Sequence, residues 1–194
     1  MATHDLPPYE VLDLKHPKKH PILRGPIKAL SFPLSEEDER DIDIVERRFD
    51  TEENMAGVAA PQIGIAKQII VFAADDPEIK KWRQDFTQSM PKQVWINPSF
   101  EPVGDATHEE YEGCFSVEDM AGPVKRYSRV KYRAHDREGN LITGIAEGYL
   151  ARVIQHEVEH IRGTLFIDHV SKGKLLPIDE YREQRRQALA RKAD

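Results

Sequence analysis

Cysteine is almost absent from this chain. Cys114 is alone among 194 residues, so no internal disulfide can form, which suits a reducing compartment. It also leaves one thiol free for metal or redox chemistry. Long apolar runs are missing too: none approaches the ~18 residues that a membrane-spanning helix needs. The first segment, MATHDLPPYEVLDLKHPKKHPILRG, is proline-rich and broken by charges. It has neither the apolar centre of a secretory signal nor the amphipathic pattern of a transit peptide. A cytoplasmic protein that does not engage a membrane is expected. A basic excess is also lacking. The formal net charge is -6 and the pI about 5.8, which argues against a nucleic-acid binder, sequence-specific or general. There are no internal repeats or low-complexity tracts.

What is present reads as one globular domain. Hydrophobic residues make up 39% and charged residues 32%, and a chain of this length buries roughly 70% of the surface its unfolded form exposes. The expected domain spans residues 1–194, with a core over 20–172 and a polar, helical tail over 173–194. Residues 1–34 read as extended chain and loop. SEEDERDIDIVERRFDTEENM opens on Ser-x-x-Asp, places acids in its first turn and spaces Ile42, Val45 and Phe49 on one face. This predicts an amphipathic helix over 36–52. Strands are predicted at Gln68–Ala73, in QVWINPSF, in HEEYEGCFSV, and as a hairpin in RYSRVKYRAHDREGNLITGIAEG turning at Glu138-Gly139-Asn140. Residues 75–92 are expected to form a polar surface excursion, and TLFIDHV reads as a last short strand. Strands, then a helix, then a strand, joined by short turns, predict an α+β fold rather than a βαβ array.

The chemistry enters in YLARVIQHEVEHIRG, Tyr149 to Gly163. Leu150, Val153, Ile154, Val158 and Ile161 have helical spacing, and Gly163 suits the position just past a helix end. His156 and His160 stand at i and i+4, on one helix face with Cβ atoms roughly 5–6 Å apart, close enough to bind one ion. Glu157 can reach a water on such an ion. The plainer reading is a pair of satisfied or surface histidines, and a third ligand would decide between the two. One metalloprotease spacing asks for histidine at position 166, which is Phe166. Glu180 or Glu183 would suit another, peptidase-like arrangement. Cys114, in EGCFS near a strand end, is the upstream candidate; a lone cysteine is otherwise an inert buried thiol.

Three segments, in order and spacing, resemble the signature motifs of the peptide deformylases. They are GVAAPQIG (Gly57–Gly64), EGCFS (Glu112–Ser116) and QHEVEH (Gln155–His160). INP at Ile96–Pro98, AHDREGN at Ala134–Asn140 and GTLFIDHV after the helix extend the similarity over about residues 20 to 172. The resemblance implies small mixed or antiparallel sheets packed around a central metal-binding helix. It implies Cys114, His156 and His160 as ligands of one divalent metal, with water in the fourth position, the pattern of a catalytic site. Fe2+ is the metal first implied, and Zn2+, Ni2+ or Co2+ can take its place. The implied reaction removes the N-formyl group from the formyl-methionine of nascent polypeptides, releasing formate. Glu157 would move the proton, while the Gln62 side-chain amide and the Phe115 backbone N–H would hold the oxyanion. Gly57 and Gly113 are implied to admit the substrate backbone as an added strand. Glu112 and Arg126 are implied as an ion pair behind the cysteine loop.

The chain also departs from the family pattern. Met55 stands where the first motif usually begins with glycine, Glu159 where aspartate is usual, Phe115 where leucine is usual, and Ala121 where many members carry arginine. The positions aligned with the methionine side-chain pocket are Glu110, Tyr149 and Arg152, and charges there would weaken apolar burial. Either Glu110 and Arg152 pair and turn outward, or the chain prefers another formylated substrate. A peptidase using Glu180 and a silent binding relative are the readings from other classes. The tail, Ser171 to Asp194, has seven Lys or Arg against four Asp or Glu. It reads as a solvated helix, with docking on the ribosome near the nascent chain as the alternative.

Overall fold

The computed structural model describes residues 6–53 and 55–193. Helix α1, Glu36–Thr51, forms where the pattern predicts it. Ser35 accepts the Asp38 N–H at 3.2 Å, and the Asp38 carboxylate accepts the Ser35 N–H at 3.2 Å, a reciprocal cap. The buried side of α1, Ile42 and Val45, packs with Val58, Ile69, Val71 and Ile96 of the sheet beneath it.

The strands are, in chain order, β1 (Gly57–Ala59), β2 (Ile69–Ala74), β3 (Met90–Pro102), β4 (Thr107–Cys114), β5 (Val117–Tyr127), β6 (Arg129–His135), β7 (Leu141–Glu147) and β8 (Leu176–Pro177). They form a five-stranded sheet ordered β1-β2-β3-β6-β7 and a three-stranded sheet ordered β4-β5-β8. Every strand-to-strand ladder is antiparallel, which narrows the expectation of mixed sheets. The short helix α2 (Pro77–Trp82) precedes β3. The helix of the His-Glu motif, α3 (Gly148–Ile161), touches strands of both sheets, and α4 (Ile178–Ala193) ends the described chain.

Eleven of the fourteen residues of α3 are buried, so its surroundings rather than water must satisfy its polar groups. No side chain caps its start. Instead the Gly148 N–H donates to the Ser128 carbonyl at 2.9 Å and the Tyr149 N–H to the Asp85 carbonyl at 2.8 Å. Gly148 has φ +57, and a Cβ there would lie 2.0 Å from the Asp85 oxygen, so glycine is required. At the other end Gly163 has φ +71 and donates to the His160 carbonyl at 3.2 Å, while the Thr164 N–H reaches the Glu159 carbonyl at 3.0 Å. Among the described residues no helix is long and apolar enough to cross a membrane.

Three local expectations are corrected. TLFIDHV is not a strand: Phe166–Asp168 form a 3-10 turn. Asp168 takes the Leu165 N–H at 2.9 Å and pairs with Arg24 and Lys18, which holds the turn closed. Residues 75–92 are more than a surface excursion. Asp76 caps α2, and then Arg83 is buried against Asp85 at 2.6 Å while Phe86 stacks on Tyr149 with centroids 5.5 Å apart. Strand β5 is an addition: Ala121-Gly122-Pro123 reads locally as a turn, yet pairing with β4 and β8 keeps it extended. The packed part also runs past residue 172, because Leu176–Pro177 pair with Ala121 and Met120.

Candidate active site

Cys114 and Val117 pair across the β4–β5 hairpin, which leaves Phe115 and Ser116 as its turn. This sets Cys114 over α3. Its Sγ lies 3.4 Å from His160 Nε2, which lies 3.3 Å from His156 Nε2, and the three ligand atoms are all within 4.8 Å of one another. In a tetrahedral shell with metal–nitrogen bonds near 2.0–2.1 Å and metal–sulfur near 2.3 Å, ligand atoms sit roughly 3.3–3.6 Å apart. Both contacts of His160 fall in this range and the third separation is within 4.8 Å, so the three side chains can close on one small divalent cation, and they are the cluster of this kind found among the described residues. Glu180 and Glu183 are not part of it. They hydrogen-bond Gln184 and Gln187 along α4.

The histidine rings are set from behind. Glu112 Oε2 lies 2.9 Å from His156 Nδ1, which directs Nε2 into the site. The same carboxylate receives Arg126 at 2.9 and 2.8 Å and Arg152 at 2.6 Å. Arg126 continues to Glu159, and Glu159 to His169 at 2.9 Å, so the glutamate in place of the usual aspartate points away from the ligand atoms. Against burial, which lowers it, hydrogen bonds that the imidazole donates to Cys114 and Glu112 hold the His156 pKa well above its ordinary value. Burial, reinforced by the nearby His156 and Arg126 charges, pushes His160 well below its own, and its Nδ1 is buried with no hydrogen-bond partner.

Glu157 is 4% exposed, and its Oε2 is buried without a hydrogen-bond partner. Burial raises its carboxyl to about 7, against the lowering influence of His156. Gly57 explains how it fits: a Cβ on Gly57 would lie 2.5 Å from Glu157 Oε1. The missing side chain of Gly57 thus makes room for the glutamate, a reason for glycine other than the close approach of a substrate. Gln62 is fixed by its oxygen. Its Oε1 accepts the Ala59 N–H at 2.8 Å, which turns Nε2 toward Cys114 Sγ at 3.2 Å.

These groups open onto a cleft of about 920 Å³, lined among others by Gly57, Gln62, Gly113, Phe115, Tyr149 and Arg152. Glu110 is not among the lining residues and stands beside one of them, Arg83. It lies 3.8 Å from Arg83 and 3.5 Å from His108. Nor does Glu110 pair with Arg152, which turns inward to Glu112 and to the carbonyls of Val124 and His108. Ala121 is buried between Gly113 of β4 and Leu176 of β8 in register. Tyr9, Arg83, Tyr111, Ile178 and Arg182 also line the cleft. They come from distant segments, and no local pattern in the sequence marks them.

Residues 10–175 match the family model described as polypeptide deformylase. The chain is 51% identical over 187 residues to Peptide deformylase 2 of Rickettsia conorii, covering 95% of this chain and 93% of that one. It is 34% identical over 175 residues to a peptide deformylase of Ligilactobacillus salivarius, with 83% and 91% covered. Among solved structures, the Met-Ala-Ser-bound class I type b peptide deformylase of Acinetobacter baumannii aligns with TM-score 0.70 at 26% identity, covering 85% of this chain and 98% of that one. The actinonin complex of the Synechococcus elongatus peptide deformylase aligns with TM-score 0.67 at 31% identity, covering 87% and 82%. Similarity that runs through both sheets and through all three converging segments leaves one conclusion: this chain belongs to the peptide deformylase family.

Proposed function

We propose that Cys114, His156 and His160 hold one divalent metal and that Glu157, Gln62 and the Phe115 N–H act on a formyl group beside it. As a family member the chain is a metallohydrolase that removes the N-formyl group from formyl-methionine at the start of nascent polypeptides, releasing formate. The observation that carries the residue assignment is the convergence of the three ligand atoms, all within 4.8 Å of one another, beside a buried carboxylate with an unpartnered oxygen. A sulfur and two nitrogens suit Fe2+, our choice, and also Zn2+, Ni2+ or Co2+. When bound, such an ion supplies a Lewis acid that acidifies water and polarises the formyl carbonyl.

The residues do the rest. Glu157 takes the proton of the attacking water as the new C–O bond forms, and negative charge collects on the former carbonyl oxygen. The Gln62 Nε2–H and the Phe115 N–H donate to that oxygen. Because the Gln62 Oε1 is committed to Ala59, the amide cannot present its oxygen instead. Breaking the C–N bond sends the Glu157 proton to the leaving amine. A carboxyl held at about 7 can serve in both directions near neutral pH. Gly57 and Gly113 sit on β1 and β4, each an outer strand of its sheet. An extended peptide can pair with either edge. Tyr149 and Arg152 wall the space for its first side chain.

The cytoplasm is the compartment this substrate implies, and the basic tail is the candidate contact with the ribosome. Co-sedimentation with ribosomes, weakened by Arg185→Glu with Arg186→Glu, tests that contact. The test of the activity is formate release by anaerobically purified, Fe2+-loaded protein, with Glu157→Ala as blank. Formyl-Met-Ala-Ser is set beside formyl peptides beginning in Leu, Glu and Lys. Fastest release from formyl-Met supports the reading, and no release from any peptide with metal bound rejects it.

A further inference from the structure

A strap near the N-terminus reaches both groups assigned to the oxyanion. The Glu10 N–H donates to the Gln62 carbonyl at 2.8 Å, and the Leu12 N–H donates to the Ser116 carbonyl at 2.9 Å. Just ahead of them Tyr9 lays its ring on that of Phe115, with centroids 4.8 Å apart and planes 13° from parallel. Tyr9 is held in turn: the Arg48 guanidinium lies 4.9 Å from its ring centroid, and Arg48 also donates to the Pro7 carbonyl. Leu12 is anchored in the core with Leu23, Val117, Leu165 and Phe166.

The two loops joined in this way have separate origins. Gln62 sits in the 3-10 turn after β1, in the five-stranded sheet, and Phe115 in the β4–β5 turn of the three-stranded sheet. The Gln62–Cys114 contact between them ends on sulfur, a weak acceptor. Phe115 is 42% exposed, so the stack on Tyr9 supplies much of what restrains its ring. Donors to a developing oxyanion act only when fixed before the reaction, to within a fraction of an ångström.

Building on the deformylase reading above, we infer that Tyr9 is a positioning residue. Clamped on Phe115 while the strap backbone holds Gln62, it sets the separation of the two oxyanion donors. It touches no reacting atom, so its effect falls on the transition state more than on the binding of peptide.

The experiment compares wild type, Tyr9→Ala and Tyr9→Phe, each loaded with Fe2+ without oxygen. Turnover of formyl-Met-Ala-Ser gives kcat and KM, and calorimetry gives the affinity for Met-Ala-Ser, which has no formyl oxygen to hold. Hydrogen exchange of residues 57–64, 112–118 and 148–161 is followed on the metal-free proteins. Tyr9→Ala is expected to lower kcat about tenfold, a size set by the loss of one aromatic stack. KM, Met-Ala-Ser affinity and metal content stay near wild type, while exchange speeds up over 57–64 and 112–118 but not over 148–161. Tyr9→Phe keeps the ring and restores kcat. Added to Gln62→Ala, Tyr9→Ala contributes less than its separate factor, because both act on one interaction. If Tyr9→Ala does not fold, Tyr9→Leu takes its place, keeping bulk without the stack. Wild-type kcat in the stackless variant, an equal loss of Met-Ala-Ser affinity, or unchanged exchange in both loops overturns the inference. A wild-type protein that releases no formate refutes the deformylase reading instead, and the exchange measurement still judges the strap.

Discussion

Replacing Glu112 by glutamine keeps its volume and removes one charge from the interior. The side chain is 6% exposed and receives Arg126 twice, Arg152 once and His156 once, at 2.6 to 2.9 Å. With it in place, the guanidiniums of Arg126 and Arg152 face the carboxylates of Glu112 and Glu159. With His156, which the metal-free protein holds protonated against the same carboxylate, three positive charges meet two negative ones, and the substitution leaves three against one. Breaking a buried pair by removing one partner costs about 3–5 kcal/mol. Glutamine still accepts one guanidinium N–H, and Arg126 keeps Glu159, so the expected loss is near the low end, about 3 kcal/mol. For a chain of this size each kcal/mol moves Tm by about 2–4 °C, so the metal-free variant should melt roughly 6–12 °C lower.

The same change loosens a metal ligand. Without the carboxylate on Nδ1, His156 loses the partner that fixes its ring, and loss of such a partner weakens metal binding about 10–100-fold. Thermal unfolding of the metal-free protein and competition for Zn2+ against a chelator read the two effects separately. Arg152→Met is the control. Glu112 then keeps Arg126 and His156, so stability falls while metal affinity stays near wild type. A Glu112→Gln protein that melts within about 2 °C of wild type and binds Zn2+ equally well would refute the electrostatic reasoning.

Four further outcomes are expected. Glu157→Gln should lower formate release by about 10²–10⁴-fold while metal content, measured by elemental analysis, is unchanged; retained turnover would move the proton to another group. In wild type the rate at low substrate should climb as pH rises through the Glu157 titration, since this carboxyl, raised by burial to about 7 in the metal-free protein and drawn lower by a bound cation, must be ionised to accept the proton. That limb should be missing from the residual activity of Glu157→Gln. Gly57→Ala should cost about 10²-fold in kcat and also lower Tm, since overpacking a buried site costs about 1–3 kcal/mol. The new Cβ meets Glu157 Oε1 at 2.5 Å and displaces the carboxylate, whereas the strand itself tolerates alanine. Metal binding should release protons, because His156 is held above its ordinary pKa in the metal-free protein and must give its proton up to ligate. Zn2+ affinity therefore rises with pH through the neutral range, and calorimetry in buffers of different ionisation enthalpy counts the protons.

The site was more legible in the sequence than the fold around it. Periodicity places His156 and His160 on one buried face of α3, because apolar spacing and the i, i+4 relation are local properties of a helix. Cys114 enters only through the order of three motifs, since the β4–β5 pairing that brings it over α3 is long-range. Strand β5 was missed for a related reason: Ala121-Gly122-Pro123 has turn chemistry, and only its two neighbours keep it extended. TLFIDHV has strand composition, but the ion pairs of Asp168 with Arg24 and Lys18 cross from residues far away in sequence. Gly57 has a second reason that the sequence does not show. Nothing adjacent to it shows that its missing Cβ is the space for a side chain a hundred residues later.

The charges around the first-side-chain space show the same division between local composition and tertiary pairing. Read as composition, Glu110 and Arg152 spoil an apolar pocket. In the fold they never meet. Arg152 spends its donors on Glu112, Val124 and His108, and the nearby Arg83 binds both oxygens of Asp85, at 2.7 and 2.6 Å, while stacking on Tyr149 at 5.1 Å. Arg152 thus has its anion, Glu112, in the wall of the cleft, and Arg83 has its own, Asp85, behind that wall, while Glu110 is not among the lining residues. A ligand carboxylate would have to compete with Glu112 or Asp85 for these guanidiniums, which a solvated peptide side chain does poorly against a buried, preorganised partner. An apolar side chain meets no such contest. It can rest on the Tyr149 ring, on Val153 and on Ile178, with the arginine stems as further apolar surface. If this space takes the first side chain, as proposed, pairing among the arginines and their carboxylates, rather than the absence of charge, would keep it open to methionine.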